Sequence, residues 1–168
     1  MTFFIGLNLL TQAALANENS QKPLFIQQAV ITTLVGIIKI ELYSKQVPVT
    51  ITNFIRYIEA GTFNTGRFYR VVRLENDNGL PKIEVIQGST NIEFKDFAAI
   101  PLETTQQTGI KHLNGVLSMA RVEHKTATSE FFICNGAQPS LDLGGLRNPD
   151  GQGFAAFGRV TKGESCTL

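Results

Sequence analysis

Residues 115–121 read GVLSMAR and residues 129–134 read SEFFIC, two apolar runs joined by the polar stretch VEHKTAT at 122–128. Both read as short strands. Working outward, residues 68–72 (FYRVV) and 83–87 (IEVIQ) are runs of β-branched and aromatic residues bounded by the turn-rich LENDNGLPK, which predicts paired strands with a long loop between them. Downstream, a Gly-, Pro- and Asn-rich loop over 136–153 leads into a strand at 154–160. Upstream, residues 30–42 (VITTLVGIIKIEL) are rich in Val, Ile and Thr and are interrupted at Gly36, the pattern of a strand, a tight turn and a second strand. One helix is expected over 49–60, where Ile51, Phe54, Ile55 and Ile58 recur at helical spacing between Pro48 and the left-handed stop offered by Gly61. Residues 91–112 carry no period and read as irregular surface. Many short strands with few helices predict a mainly β protein, a closed antiparallel barrel or a sandwich.

The chain has 168 residues, enough for one domain with a substantial core. Its formal net charge is +1 with no run of like charges, which gives no electrostatic case for nucleic acid or an acidic membrane and suits a neutral peptide better. Residues 2–16 (TFFIGLNLLTQAALA) are uncharged, too short to span a bilayer, and end in the small-x-small pattern Ala14-Leu15-Ala16. They read as a secretory signal, residues 1–16, without the usual positive n-region; the alternative is an uncleaved apolar tail. Cleavage after Ala16 would start the mature domain at Asn17, span 17–168, and export it, in a bacterium to the periplasm. Export would permit a disulfide between Cys134 and Cys166, although Cys134 in its apolar run reads as a buried free thiol. With only His112 and His124 as imidazoles and no CxxC or HExxH, a metal site has little support.

The four runs FYRVV, the one ending IQG, VLSMAR and SEFFIC, followed by FAAFGRVTKG, occur in an order that resembles the cyclophilin family of peptidyl-prolyl cis/trans isomerases, over about residues 29–163. The resemblance implies a closed antiparallel β-barrel capped by helices, with 49–60 the first of them. Family members normally continue past the position of Gly163 through a second helix and a last strand. Here only Glu164 to Leu168 follow, so the last helix and strand are expected to be missing and sheet edges to be exposed.

The implied activity is rotation about Xaa-Pro bonds. That amide has a barrier of roughly 18–20 kcal/mol and a trans preference of only about 0.5–1 kcal/mol. A catalyst holds the proline in an apolar pocket, anchors the flanking backbone, and donates to the nitrogen lone pair that the twisted amide regains. By resemblance, Arg70 is the catalytic arginine and Gln87 the residue that positions it, with a solvated strand arginine and a turn glutamine as the bland readings. Phe132 matches the pocket floor and Leu141 its wall, while Phe131 reads as core. Met119, Ala120 and Arg121 match the substrate groove, and Glu130, Val85 and Phe154 complete the substrate-binding set. No cofactor is implied. The implied partners are proline-containing polypeptides, bound by a monomer with no membrane attachment in its mature form.

Several positions depart from the family pattern. Tyr69 replaces a common histidine, Glu130 a glutamine and Phe154 a histidine or tyrosine, and Ser140 stands where cyclosporin-sensitive members carry tryptophan or phenylalanine. Weak cyclosporin binding is therefore expected. Counting back from Gln87 puts Glu84 and Val85 on apolar pocket positions, and sixteen residues separate Arg70 from Gln87, more than is usual in the family. Glu84 and Glu130 could pair with Arg70 or Arg121, orienting a guanidinium but competing for its donors. These departures predict reduced or altered turnover and support a second reading, a cyclophilin-fold binding module or holdase. A product too short to fold stably is a third. Ser118 or Ser129 with His112 or His124 and Asp142 could be written as a hydrolase triad, but no G-x-S-x-G elbow surrounds either serine.

Overall fold

A computed structural model describes residues 2–7, 27–123 and 125–163. The expected Ala16 cleavage site, His124 and Cys166 lie outside the described residues. Eight strands, β1 (Thr2–Leu7), β2 (Gln27–Thr33), β3 (Gly36–Leu42), β4 (Gly66–Val72), β5 (Val85–Ser89), β6 (Val116–Met119), β7 (Phe131–Cys134) and β8 (Ala156–Gly163), form a closed barrel. Around it they run β1-β2-β3-β8-β6-β7-β5-β4, and every described pairing is antiparallel. Helix α1 (Pro48–Glu59) packs on the barrel core, and a single turn, α2 (Thr105–Thr108), is the one α-helical element in the otherwise irregular 91–112 stretch.

The hairpin of β2 and β3 forms because Ala29, Ile31, Ile40 and Leu42 alternate onto one face, where all four are fully buried. Helix α1 buries Ile51, Phe54, Tyr57 and Ile58 along one stripe. Its first residue is Pro48, whose missing N–H costs nothing there. Val47 offers no side-chain cap; the Glu103 carboxylate, from the irregular stretch, accepts from Val49 N at 3.2 Å and Thr50 N at 2.8 Å and places negative charge at the helix N-terminus. After Ala60 the chain leaves the helix through Gly61 at φ 67°, a left-handed conformation that glycine tolerates.

Among the described residues two apolar clusters form the core. In the main one Phe54 meets Phe63, Phe131 and Phe157 with ring centroids 5.4, 5.6 and 4.9 Å apart. The smaller joins Val72, Ile83, Val85, Phe132, Cys134, Leu141 and Phe154. Strand pleating splits the aromatic pair of β7, sending Phe131 into the first cluster and Phe132 into the second.

Among the described residues the exposed sheet edges expected from the sequence do not occur, because β1 closes the ring. It pairs with β2 over five residues and with β4 over two, and Ile5 is buried in the main cluster. Residues 2–7 of the stretch read as a signal therefore serve as a barrel strand in this fold. Cys134 is a buried free thiol whose pKa burial pushes up to about 12. No helix among the described residues is long and apolar enough to cross a membrane.

Candidate active site

A cleft of about 670 Å³ opens on the outer face of β4, β5 and β7, above the smaller apolar cluster. Its polar side comes from a bulge in β4. The register shifts between Phe68 and Arg70, so Arg70 pairs with Gln87 while Tyr69 is the extra residue. Both Tyr69 and Arg70 consequently stand exposed on the cleft. Gln87 in turn pairs with Phe132, which sets Arg70, Gln87 and Phe132 side by side across three adjacent strands. Arg70 makes no ion pair among the described residues.

Glu130 pairs with neither Arg70 nor Arg121. Its carboxylate accepts from Gln87 Nε2 at 3.2 Å, and burial together with the Glu130 charge pushes the Tyr69 phenol well above its usual pKa. Arg121 is committed elsewhere: its Nη atoms hold Asp150 at 2.6 and 2.8 Å, its Nε donates to Gly153 O at 2.8 Å, and its guanidinium lies 5.3 Å from the Phe154 ring centre. It fastens the 136–153 loop beside the cleft.

The apolar floor is Phe132, set edge-on to Phe154 at 5.6 Å, with Leu141, Val72, Val85 and Ala120 around it. Two sequence expectations are corrected here. Met119 does not line the cleft; its strand partner is Phe131, and it sits fully buried in the main cluster. Glu84 is also outside, because side chains alternate along the approach to β5: Ile83, Val85 and Gln87 face the cleft, whereas Glu84 turns away and its backbone N–H donates to Gln138 Oε1 at 3.2 Å. Ile83, missed by a count that ran back from Gln87, supplies the apolar contact that Glu84 would have broken. The expected residues Arg70, Gln87, Val85, Ala120, Arg121, Glu130, Phe132, Leu141 and Phe154 all line the cleft.

Behind Phe132 lies the triad written from the sequence. His112 Nδ1 is 2.8 Å from Asp142 Oδ1 and its Nε2 is 2.9 Å from Ser118 Oγ. The distances suit a hydrolase, but Ser118 is 0% and His112 1% exposed and neither lines the cleft, so no carbonyl can reach the hydroxyl. The imidazole instead stacks on Phe132, centroids 6.1 Å apart and 22° from parallel. Burial acts to raise the Asp142 pKa, but hydrogen bonds from the His112 ring and backbone outweigh it and hold the carboxyl below its ordinary range. The network is a rigid support for the floor. No group of three or more His, Cys, Asp or Glu residues among those described is placed to hold a metal ion.

Residues 28–167 match the family model described as cyclophilin type peptidyl-prolyl cis-trans isomerase/CLD. The chain is 33% identical over 135 residues to peptidyl-prolyl cis-trans isomerase A of Dickeya dadantii, covering 79% of this chain and 65% of that protein. It is 32% identical over 116 residues to a peptidyl-prolyl cis-trans isomerase of Synechococcus elongatus, covering 68% and 73%. The fold is similar to the crystal structure of a cyclophilin type peptidyl-prolyl cis-trans isomerase of Cryptosporidium parvum, with a TM-score of 0.59 at 22% identity over 82% of this chain and 79% of that one. The chain spans 65% and 64% of the length of the Dickeya dadantii relative and of one from Acinetobacter baylyi.

Proposed function

The chain belongs to the cyclophilin-type peptidyl-prolyl cis-trans isomerase family, and from that premise we propose that it accelerates rotation about Xaa-Pro bonds in polypeptides. The observation that carries the reading is the placement of Arg70 beside Gln87 above the pocket floored by Phe132. The proline ring enters the apolar pocket and releases water chiefly from its own surface and from the small exposed areas of Phe132 and Ile83, at about 25 cal/mol per Å² buried. As the amide twists, conjugation is lost and the prolyl nitrogen becomes an acceptor. Arg70, with a permanent charge and rigid donors, supplies that hydrogen bond only in the twisted state, which lowers the barrier without a covalent step. Gln87, anchored through Glu130, limits the positions the guanidinium can take.

The test is two-dimensional NMR exchange on a short Xaa-Pro peptide with catalytic amounts of the full chain. Exchange cross-peaks that fall by ~100-fold in rate in Arg70→Ala, with peptide affinity changed only a few-fold, are the expected result. A folded Arg70→Ala with the wild-type rate overturns the assignment. Glu130, a carboxylate in the same cleft as Arg70, supports the second reading of a peptide-binding module or holdase, for which peptide shifts would appear without accelerated exchange.

Export, action on exported clients and a monomeric state belong to the same proposal. Export is supported by the uncharged stretch 2–16 ending in Ala14-Leu15-Ala16. Cleavage there and a barrel closed by Thr2–Leu7 exclude each other in one molecule. N-terminal sequencing of the protein recovered outside the bacterial cytoplasm decides it: a chain beginning at Asn17 carries the export reading, and one retaining residues 2–7 overturns cleavage at Ala16.

A further inference from the structure

The long connection between β4 and β5 is tied down at every turn. Asn76 closes its first bend, accepting from Arg73 N at 2.8 Å and donating to Val71 O at 3.1 Å. Asp77, whose side chain is wholly buried, accepts from Gly79 N at 3.0 Å and Ile83 N at 2.8 Å. Both of its carboxylate oxygens also take 2.8 Å hydrogen bonds from the two Nη atoms of Arg147, one of which donates to Pro81 O at 3.0 Å. Arg147 comes from the loop that carries Leu141, and its own backbone N–H donates to Ser140 O at 3.2 Å. A single bidentate pair therefore locks the inserted stretch to the far rim of the cleft. Gly79 is part of the lock, since a Cβ there would collide with the guanidinium. The product of this bracing is Ile83, 7% exposed, facing the cleft and packed in the cluster with Phe132 and Leu141.

We propose that Asp77 and Arg147 are positioning residues for substrate specificity: they hold the inserted loop so that Ile83 forms a wall of the proline pocket, setting affinity for the proline-containing segment and not the rate of rotation. This rests on the isomerase reading of the same cleft. An unbraced loop of this length samples many conformations, and an aliphatic wall contributes to binding only if its ordering cost is met before the ligand arrives. A carboxylate with four well-formed hydrogen bonds and a forked partner meets that requirement.

The experiment measures KM and kcat by NMR exchange over a range of peptide concentrations for wild type, Asp77→Asn, Ile83→Ala and their double variant, with thermal melts to check folding. Asp77 does not line the cleft but its partner Arg147 does, so its replacement reaches the peptide through the loop or through the released guanidinium. The double variant separates the two, because only the loop route is lost once Ile83 is gone. The expected result is a roughly five- to tenfold rise in KM for each single variant with kcat within about twofold, and little further rise in the double. Gly79→Ala, which disturbs the pair without removing a charge, should reproduce the rise and covers the case in which Asp77→Asn does not fold. Unchanged KM in a folded Asp77→Asn or Gly79→Ala, fully multiplicative effects of Asp77→Asn and Ile83→Ala, or a fall in kcat alone overturns the proposal. A wild type that turns over peptide while the variants keep its KM removes this inference alone. A wild type that binds without turnover removes the isomerase reading and leaves the clamp to be judged by the same ratios in Kd. A wild type that does neither removes both.

Discussion

Glu130 is the residue at which this site departs most in charge from a neutral pocket, and the structure shows what its carboxylate does. It accepts from Gln87, so the glutamine amide is aligned by a charge, and its field adds to burial in raising the Tyr69 pKa. Replacing it with Gln removes that charge and leaves an acceptor oxygen in place. The negative field disfavours phenolate, so the Tyr69 pKa should fall toward the ordinary tyrosine value in Glu130→Gln, read by NMR titration of ring-labelled tyrosine. The exchange rate should rise by roughly three- to tenfold if the carboxylate also draws on the Arg70 guanidinium at the operating pH; a folded variant with unchanged rate would show that it does not. At this scale the sequence was informative where strand alternation applies cleanly, as for Phe131 and Phe132. It misled at Met119, because β6 is buried at all four positions and carries no exposed residue to mark the face toward the cleft. It misled at Glu84 because a residue-by-residue match to a motif ignores which way each side chain points before the strand begins at Val85.

Among the elements, the β4 to β5 connection was visible in the sequence as turn-forming residues, but nothing in LENDNGLPK marks Asp77 as its buried anchor. Its partner Arg147 is seventy positions away, a separation that local patterns do not register. The energetic consequence is readable from titration. Burial works to raise the Asp77 pKa, but hydrogen bonds from Arg147, Gly79 N and Ile83 N outweigh it and bring the carboxyl from 3.8 down to about 2. A depressed folded-state pKa means that the unfolded chain takes up the proton first. The stabilisation is therefore complete above the unfolded value and is lost as pH falls from about 4 toward 2. Its size is about 2 kcal/mol. Urea unfolding of wild type and Asp77→Asn should give a stability difference that is constant above pH ~5 and shrinks by about that amount in acid. A difference independent of pH would mean that the Asp77→Asn substitution costs packing and not ionic hydrogen bonding.

For the whole molecule, closure of the barrel depends on the segment the sequence described least well. TFFIGL shows no polar alternation, so its composition fits an export signal as readily as a strand, and its partners β2 and β4 are identified only by the completed ring. The strand's pleat supplies the test that composition lacks. Ile5 is 1% exposed in the main cluster, while neighbouring Phe4 is 46% exposed on the outside. If the barrel closes this way in solution, Ile5→Ala should cost about 2–4 kcal/mol in urea unfolding, and Phe4→Ala should stay within about 0.5 kcal/mol despite removing the larger side chain. Equal, small effects would place residues 2–7 outside the cooperative unit. A chain beginning at Asn17 sharpens the same argument, since without β1 the facing edges of β2 and β4 present unpaired N–H and C=O groups. It should unfold at lower urea concentration than the full chain and self-associate on size exclusion, because an open pair of edges beside an exposed core is satisfied most directly by a strand from another molecule. A chain from Asn17 that matched the full chain in midpoint and elution would overturn closure by β1.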